Sequence, residues 1–209
     1  MNYIDNLINT HSELSPIKGD IENALSLILD TYESGGKILL FGNGGSCADS
    51  EHISGELLKG FMKLRTPTGE ELEALSAALS PEEAKKLQRG IPAIPLTSLT
   101  ASLSAFANDV SPELVFAQLV YALGKEGDLA ICLSTSGNSK NVVCGAKVAK
   151  ARGIKTLALT GMGGGTLGEI CDVTVRAPEV ETYKVQEYHL PIYHALCAEA
   201  ERILFTDKS

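Results

Sequence analysis

Apolar residues fall into two alternating rhythms along this chain. Between residues 17 and 32, Ile21, Ala24, Leu25, Ile28 and Leu29 recur at helical spacing, and Gly35 and Gly36 stop the pattern. Residues 37–41 (KILLF) then form a short run, apolar from Ile38 onward, as expected of a parallel strand buried on both faces. That run leads directly into Gly42-Asn43-Gly44-Gly45-Ser46, after which residues 47–61 return to a helical pattern. Further strand-like runs follow at residues 93–97, 129–134, 156–160 and 173–177, with helical patterns between most of them, and residues 182–205 predict one long closing helix. Strands alternating with helices predict an α/β fold, a single doubly wound domain whose mostly parallel five-stranded sheet is flanked by helices.

One stretch breaks the rhythm. Residues 64–90 are charged and alanine-rich, and Ser80-Pro81-Glu82-Glu83 has the form of a helix start, with proline in the first turn and acids at the positive end of the dipole. We read it as a helical insertion within one domain spanning residues 1–209, either a solvated addition or a lid or subunit contact.

Composition narrows the classes of function. A formal charge of -8 with no local Lys/Arg cluster argues against a general nucleic-acid or membrane-surface role, because both partners are polyanions. The first fifteen residues are polar and have neither the basic stretch nor the apolar core of a signal peptide, and no run is long enough to span a bilayer. Cys47, Cys132, Cys144, Cys171 and Cys197 are scattered, odd in number and mostly within apolar segments, which predicts reduced, buried thiols rather than disulfides or a zinc knuckle, and a cytoplasmic location. Cys47 borders the glycine loop, but as a small packing residue it is assigned no role.

Two polar loops stand at the carboxyl ends of predicted strands, where open α/β sheets bind ligands. The glycines at 42–45 allow positive φ and close backbone approach to an anion, although a tight turn without a ligand would account for them as well. Ser134-Thr135-Ser136-Gly137-Asn138-Ser139 offers four hydroxyls before a helix over residues 141–151, more than helix capping needs, and suits a phosphate. His52 and Glu56 lie four apart on a predicted helix and project from one face, a spacing that serves metal binding, acid/base work or a plain hydrogen-bonded pair. In the last helix, Gln186 and His194 are separated by about 12 Å of rise and roughly 80° of rotation, so they would converge on one ion only with difficulty, and a neighbouring subunit would relax that geometry. His189 points about 140° away from His194, so at most one of them enters a given site.

These residues also carry a resemblance. FGNGGSCADSEHISGEL at 41–57, FAND at 106–109, LSTSGNS at 133–139 and VQEYHLPIYHALC at 185–197 together resemble the phosphoheptose isomerases, enzymes of the sugar-isomerase (SIS) domain family. The likeness covers nearly the whole chain apart from residues 64–90. It implies interconversion of sedoheptulose 7-phosphate and D-glycero-D-manno-heptose 7-phosphate, and a homotetramer with sites shared between subunits. Carried over by position, Ser134, Thr135, Ser136 and Ser139 would hold the phosphate, while Asn43, Gly44, Gly45, Ser46, Glu56, Asn108, Asp109 and Gln186 would contact the sugar. The implied zinc, one per subunit, would fall on His52, Glu56, Gln186 and His194. Moving a carbonyl between C1 and C2 needs a base at carbon and an acid at oxygen, and Glu56 and His194 are the candidates.

A rival is a non-catalytic SIS protein that binds a replication initiator; such proteins lack the acid/base pair, whereas this chain keeps both Glu56 and His194. A sugar-phosphate-sensing regulatory domain would need a DNA-binding segment, and other SIS chemistry would need other catalytic residues. An isomerase for a different ketose phosphate is a further alternative, because the 64–90 insertion is outside the usual pattern and leaves substrate range less secure than reaction type.

Overall fold

The computed structural model describes residues 2–206; Met1 and residues 207–209, the outermost part of the expected domain, lie outside that description. Helices α1 (Tyr3–Thr10) and α2 (Lys18–Glu33) precede strand β1 (Ile38–Gly42), and α3 (Gly45–Leu58) follows it. The irregular stretch folds as α4 (Gly69–Ala78) and α5 (Pro81–Ala84) before β2 (Ala93–Pro95). Next come α6 (Thr100–Asp109), α7 (Val115–Leu123), β3 (Leu129–Leu133), α8 (Lys140–Ala151), β4 (Lys155–Thr160), α9 (Gly165–Ile170), β5 (Val173–Arg176) and the closing helix α10 (Thr182–Leu204).

The five strands form one sheet in the order β2-β1-β3-β4-β5, and every pairing is parallel. Period-two alternation divides the strand residues between two cores. Ile38, Leu40, Leu129, Ile131, Leu133, Leu157 and Leu159 pack with α1, α2, α3 and α10. Leu39, Phe41, Ala130, Cys132 and Ala158 face α7 and α8, where Phe41 stacks on Phe116 at 5.3 Å between ring centroids. Continuous apolar runs were needed because both faces are covered. Strand β2 is shorter than the predicted 93–97: Pro95 has no amide for the ladder, and the chain coils into a 3-10 turn over Leu96–Ser98. Helix α3 ends at Leu58 rather than near 61, where Lys59 turns extended.

Polarity hid α1. Asn2 accepts hydrogen bonds from the amides of Ile4 and Asp5, and the helix it caps buries Ile4 and Leu7 against α10. The cysteines are free thiols; Cys132 and Cys197 are buried as expected, whereas Cys47, Cys144 and Cys171 are only partly buried.

Residues 64–90 divide into an exposed part and an anchored part. No residue of α4 is buried, and Ser80 and Glu83 form the reciprocal cap that starts α5, which is only four residues long. The flanks are tied down. Arg65, fully buried, donates to the carboxylate of Glu201 at 2.7 Å and to the carbonyls of Leu57 and Glu56 at 2.7 and 3.2 Å. The same carboxylate accepts the amides of Phe61, Met62 and Lys63. Burial alone would raise the Glu201 pKa, but these amides and Arg65 outweigh it and hold it below the usual carboxylate value.

Removing one partner of a buried pair leaves the other charge uncompensated, so Arg65→Met should cost about 3 to 5 kcal/mol in denaturant unfolding. Glu73→Ala, on the exposed α4, should stay within about 0.5 kcal/mol of wild type. Similar costs for the two would show that residues 64–90 are solvated throughout.

Candidate functional site

The strand order reverses between β1 and β3, and the two polar loops leave the adjacent ends of these strands, where Gly42 pairs with Leu133. Asn43 and Asn141 tie the loops together by exchanging amide hydrogen bonds of 2.9 and 3.0 Å. Gly44 has φ +55 at the entry to α3, which a side chain would resist. Gly137 has φ +67, and a Cβ there would lie 1.9 Å from the carbonyl oxygen of Gly164, so the loop before α9 buttresses the serine loop directly. Within that loop the hydroxyls of Ser134 and Ser139 lie 2.9 Å apart, Ser136 Oγ accepts the amide of Asn138, and Thr135 reaches Thr182 on α10. Ser136 is exposed and Ser134 buried. Beside these loops Asn43, Gly44, Cys47, Ser104 and Asn141 line a cavity of about 450 Å³, within the range of small-molecule pockets.

A second polar group lies where α3 packs on α10. His52 Nε2 is 3.3 Å from Glu56 Oε1 and 3.3 Å from His194 Nε2. Lys59 places its ammonium 3.4 Å from Glu56 Oε2, and the Phe61 ring lies 5.5 Å from that of His194. Burial, then the neighbouring His52, lowers the pKa of His194 below the ordinary histidine value against the pull of Glu56, and the lowered value favours the neutral imidazole. On the inner side of His52, the Tyr193 hydroxyl sits 2.9 Å from Nδ1 and 3.3 Å from Asp49 Oδ1. Burial, with Asp49 beside it, pushes the Tyr193 pKa up, so the phenol keeps its proton. Burial also raises the Asp49 pKa, against the pull of the Tyr193 hydrogen bond. Asp49 and Tyr193 escaped the sequence reading; the available signal was Asp49, His52 and Glu56 at i, i+3 and i+7 on one helix face.

Among the described residues no three His, Cys, Asp or Glu side chains close into a ready-made metal site. His52 with Glu56 and His194 nevertheless supplies two edges of one, since donors about 2.0–2.1 Å from a tetrahedral zinc are themselves about 3.3 Å apart. Gln186 is not in this group: its amide lies over Gly45, where a Cβ would come within 2.4 Å of Nε2. Asn108 and Asp109 end α6, exposed and bonded to each other, with Asp109 beside a separate cavity near Gln118. Ser46 is buried, its amide donating to the Asn43 carbonyl.

Comparison with known proteins agrees with this architecture. Two family models, both described as SIS domain, match residues 2–91 and 88–198. The phosphoheptose isomerase of Akkermansia muciniphila is 35% identical over 204 residues, 98% of this chain and 96% of its own length. That of Aliarcobacter butzleri is 40% identical over 177 residues, 85% and 82% of the two chains. Among solved structures, the phosphoheptose isomerase from Neisseria gonorrhoeae matches with a TM-score of 0.72 and 33% identity over 93% of each chain.

His189 shares α10 with His194 but not its site, as the angular offset requires. It is fully buried, with Nε2 3.2 Å from the Thr160 carbonyl and Nδ1 without a partner among the described residues. Burial lowers its pKa from 6.5 to about 4. A depressed histidine gives stability that is present above the unfolded value of 6.5 and lost as pH falls towards 4. Between pH 7 and pH 5 the loss should reach about 2 kcal/mol, and His189→Gln should remove that part of the slope in unfolding titrations. An unchanged slope in the variant would assign the pH dependence elsewhere.

Proposed function

This chain belongs to the phosphoheptose isomerases of the SIS-domain family, and we propose that it interconverts sedoheptulose 7-phosphate and D-glycero-D-manno-heptose 7-phosphate at the α3–α10 cluster. It is a sugar-phosphate isomerase. The observation that carries the finer reading is the juxtaposition of a carboxylate, Glu56, with a neutral imidazole, His194, across His52. In the ketose-to-aldose direction Glu56 would take a proton from C1 while His194 gives one to the C2 oxygen, leaving an enediol. Returning a proton to C2 and removing one from O1 then yields the aldehyde. A neutral imidazole suits the acid because it still has an N–H to give without carrying a charge. The hydroxyls of Ser134, Thr135, Ser136 and Ser139 would hold the phosphate at the end of β3, with Asn43, Gly44 and Gly45 on the sugar side of the switch point.

Zinc, one ion per subunit, is part of the proposal. His52, Glu56 and His194 supply the nitrogen and oxygen donors that zinc takes, and their 3.3 Å separations suit it. When bound there, zinc would polarise the sugar oxygens or fix their position. Gln186 would join this set only by leaving Gly45.

The proposed assembly is a homotetramer with shared sites. Thr182, beside the serine loop, and His194 are twelve residues apart on α10, a rise of about 18 Å. An extended seven-carbon chain spans under about 10 Å. Residues from two subunits would shorten that span. No helix among the described residues is long and apolar enough to cross a membrane, and a cytoplasmic location fits the free thiols.

Purified protein should turn over sedoheptulose 7-phosphate, with added zinc raising the rate, and His194→Ala should lose that activity. Glu56→Gln should lower kcat by about 100-fold or more with phosphate-ligand binding retained; near-normal turnover would remove Glu56 as the base. Ser136→Ala should mainly weaken binding, by about tenfold or more, and unchanged affinity would remove the phosphate assignment. Mixing Glu56→Gln and Ser136→Ala subunits should restore part of the activity if base and phosphate loop come from different chains. No recovery after subunit exchange would place both on one chain.

A further inference from the structure

Tyr193 and Asp49 make contacts that the proposed proton transfers do not use. The phenol is buried between α10 and α3, 2.9 Å from His52 Nδ1 and 3.3 Å from Asp49 Oδ1. The other carboxylate oxygen, Oδ2, is buried with no hydrogen-bond partner among the described residues. A phenol has one proton to give, and a carboxylate can only accept. If Tyr193 donated to the imidazole, neither oxygen of Asp49 would receive a hydrogen bond from the described residues, which is costly for a half-buried carboxylate whose Oδ2 is out of reach of solvent. If it donates to Asp49, its oxygen is free to accept from Nδ1–H of His52.

We propose that Asp49 and Tyr193 are positioning residues that fix His52 in one tautomer, with Nδ1–H donating inward to the phenol and the lone pair of Nε2 facing Glu56 and His194. The inference deepens the reading of the cluster as the reaction centre and rests on it. Nε2 and Glu56 Oε1, 3.3 Å apart, are then two acceptors turned towards one place, and His194 Nε2 lies 3.3 Å from the first. Such a constellation attracts either the N–H of His194 or a cation. The relay thus leaves His194 carrying its proton on Nε2 when no ion is bound, and offers His52 as a ready-made nitrogen ligand when one is. Outer partners of this kind set ring orientation and tautomer in metal-binding histidines generally.

The test is the tautomer itself, read from two-bond nitrogen–proton correlations of the imidazoles in the metal-free full-length protein. Wild type is expected to show His52 protonated on Nδ1 and bare on Nε2. Tyr193→Phe, which removes one oxygen and keeps the ring, should lose that single-tautomer pattern and lower zinc affinity by about 10- to 100-fold in a chelator competition. A proton on Nε2 of His52 in wild type overturns the relay, as does a Tyr193→Phe protein that retains either the wild-type pattern or the wild-type affinity. The wild-type spectrum alone decides the question if the variant does not fold. Because it needs no substrate, a protein inactive on sedoheptulose 7-phosphate could still show the tautomer, and the two readings fail separately.

Discussion

Helix α10 runs alongside α3 in the same direction, and three contacts follow one another down the seam. Gln186 lies over Gly45 at the start of α3, Tyr193 and His194 meet His52 in its middle, and Glu201 captures the backbone that leaves its end. The pairing works because glycine at 45 leaves room for an amide and because a buried carboxylate at 201 is matched by three backbone N–H groups and Arg65. Shifting α10 by one turn would move it by about 5.4 Å and separate every one of these pairs. The proposed base and acid reside on different helices, so their approach is a property of this packing and not of either helix alone.

The sheet performs the corresponding task for the two loops. Its reversal between β1 and β3 brings the glycine and serine loops side by side, and two asparagines, Asn43 and Asn141, hold them at a fixed separation. The apolar runs that build these strands supply a core on each face, so the loops emerge from rigid elements rather than from a mobile surface. Gly137 shows how closely the second loop is packed, since even one methyl group there would collide with the backbone of Gly164.

The five strands, the two loops and the His52–Glu56 pair were legible in the sequence because each is a local pattern: an apolar run, a cluster of glycines or hydroxyls, a spacing of four. The partnerships between elements were not. Tyr193 and His52 are separated by 141 positions and Arg65 and Glu201 by 136, and no periodicity reports such pairings. Arg65 therefore read as one more charge in a solvated stretch, and α1 as a polar tail, although Asn2, Ile4 and Leu7 already had the spacing of a capped amphipathic helix. Asn108 and Asp109 were expected at the sugar by resemblance; within one chain they are exposed at the end of α6 and bond to each other.

The role proposed for Glu56 is to move a proton between carbon and solvent at the α3–α10 seam. The direct measurement is conversion of sedoheptulose 7-phosphate in heavy water, with deuterium at C2 of the aldose product followed by NMR at low conversion. The wild-type protein should place deuterium at C2, and Glu56→Gln should show near-complete loss of that exchange. Product formed without deuterium at C2, or exchange that continues undiminished in Glu56→Gln, would contradict that role.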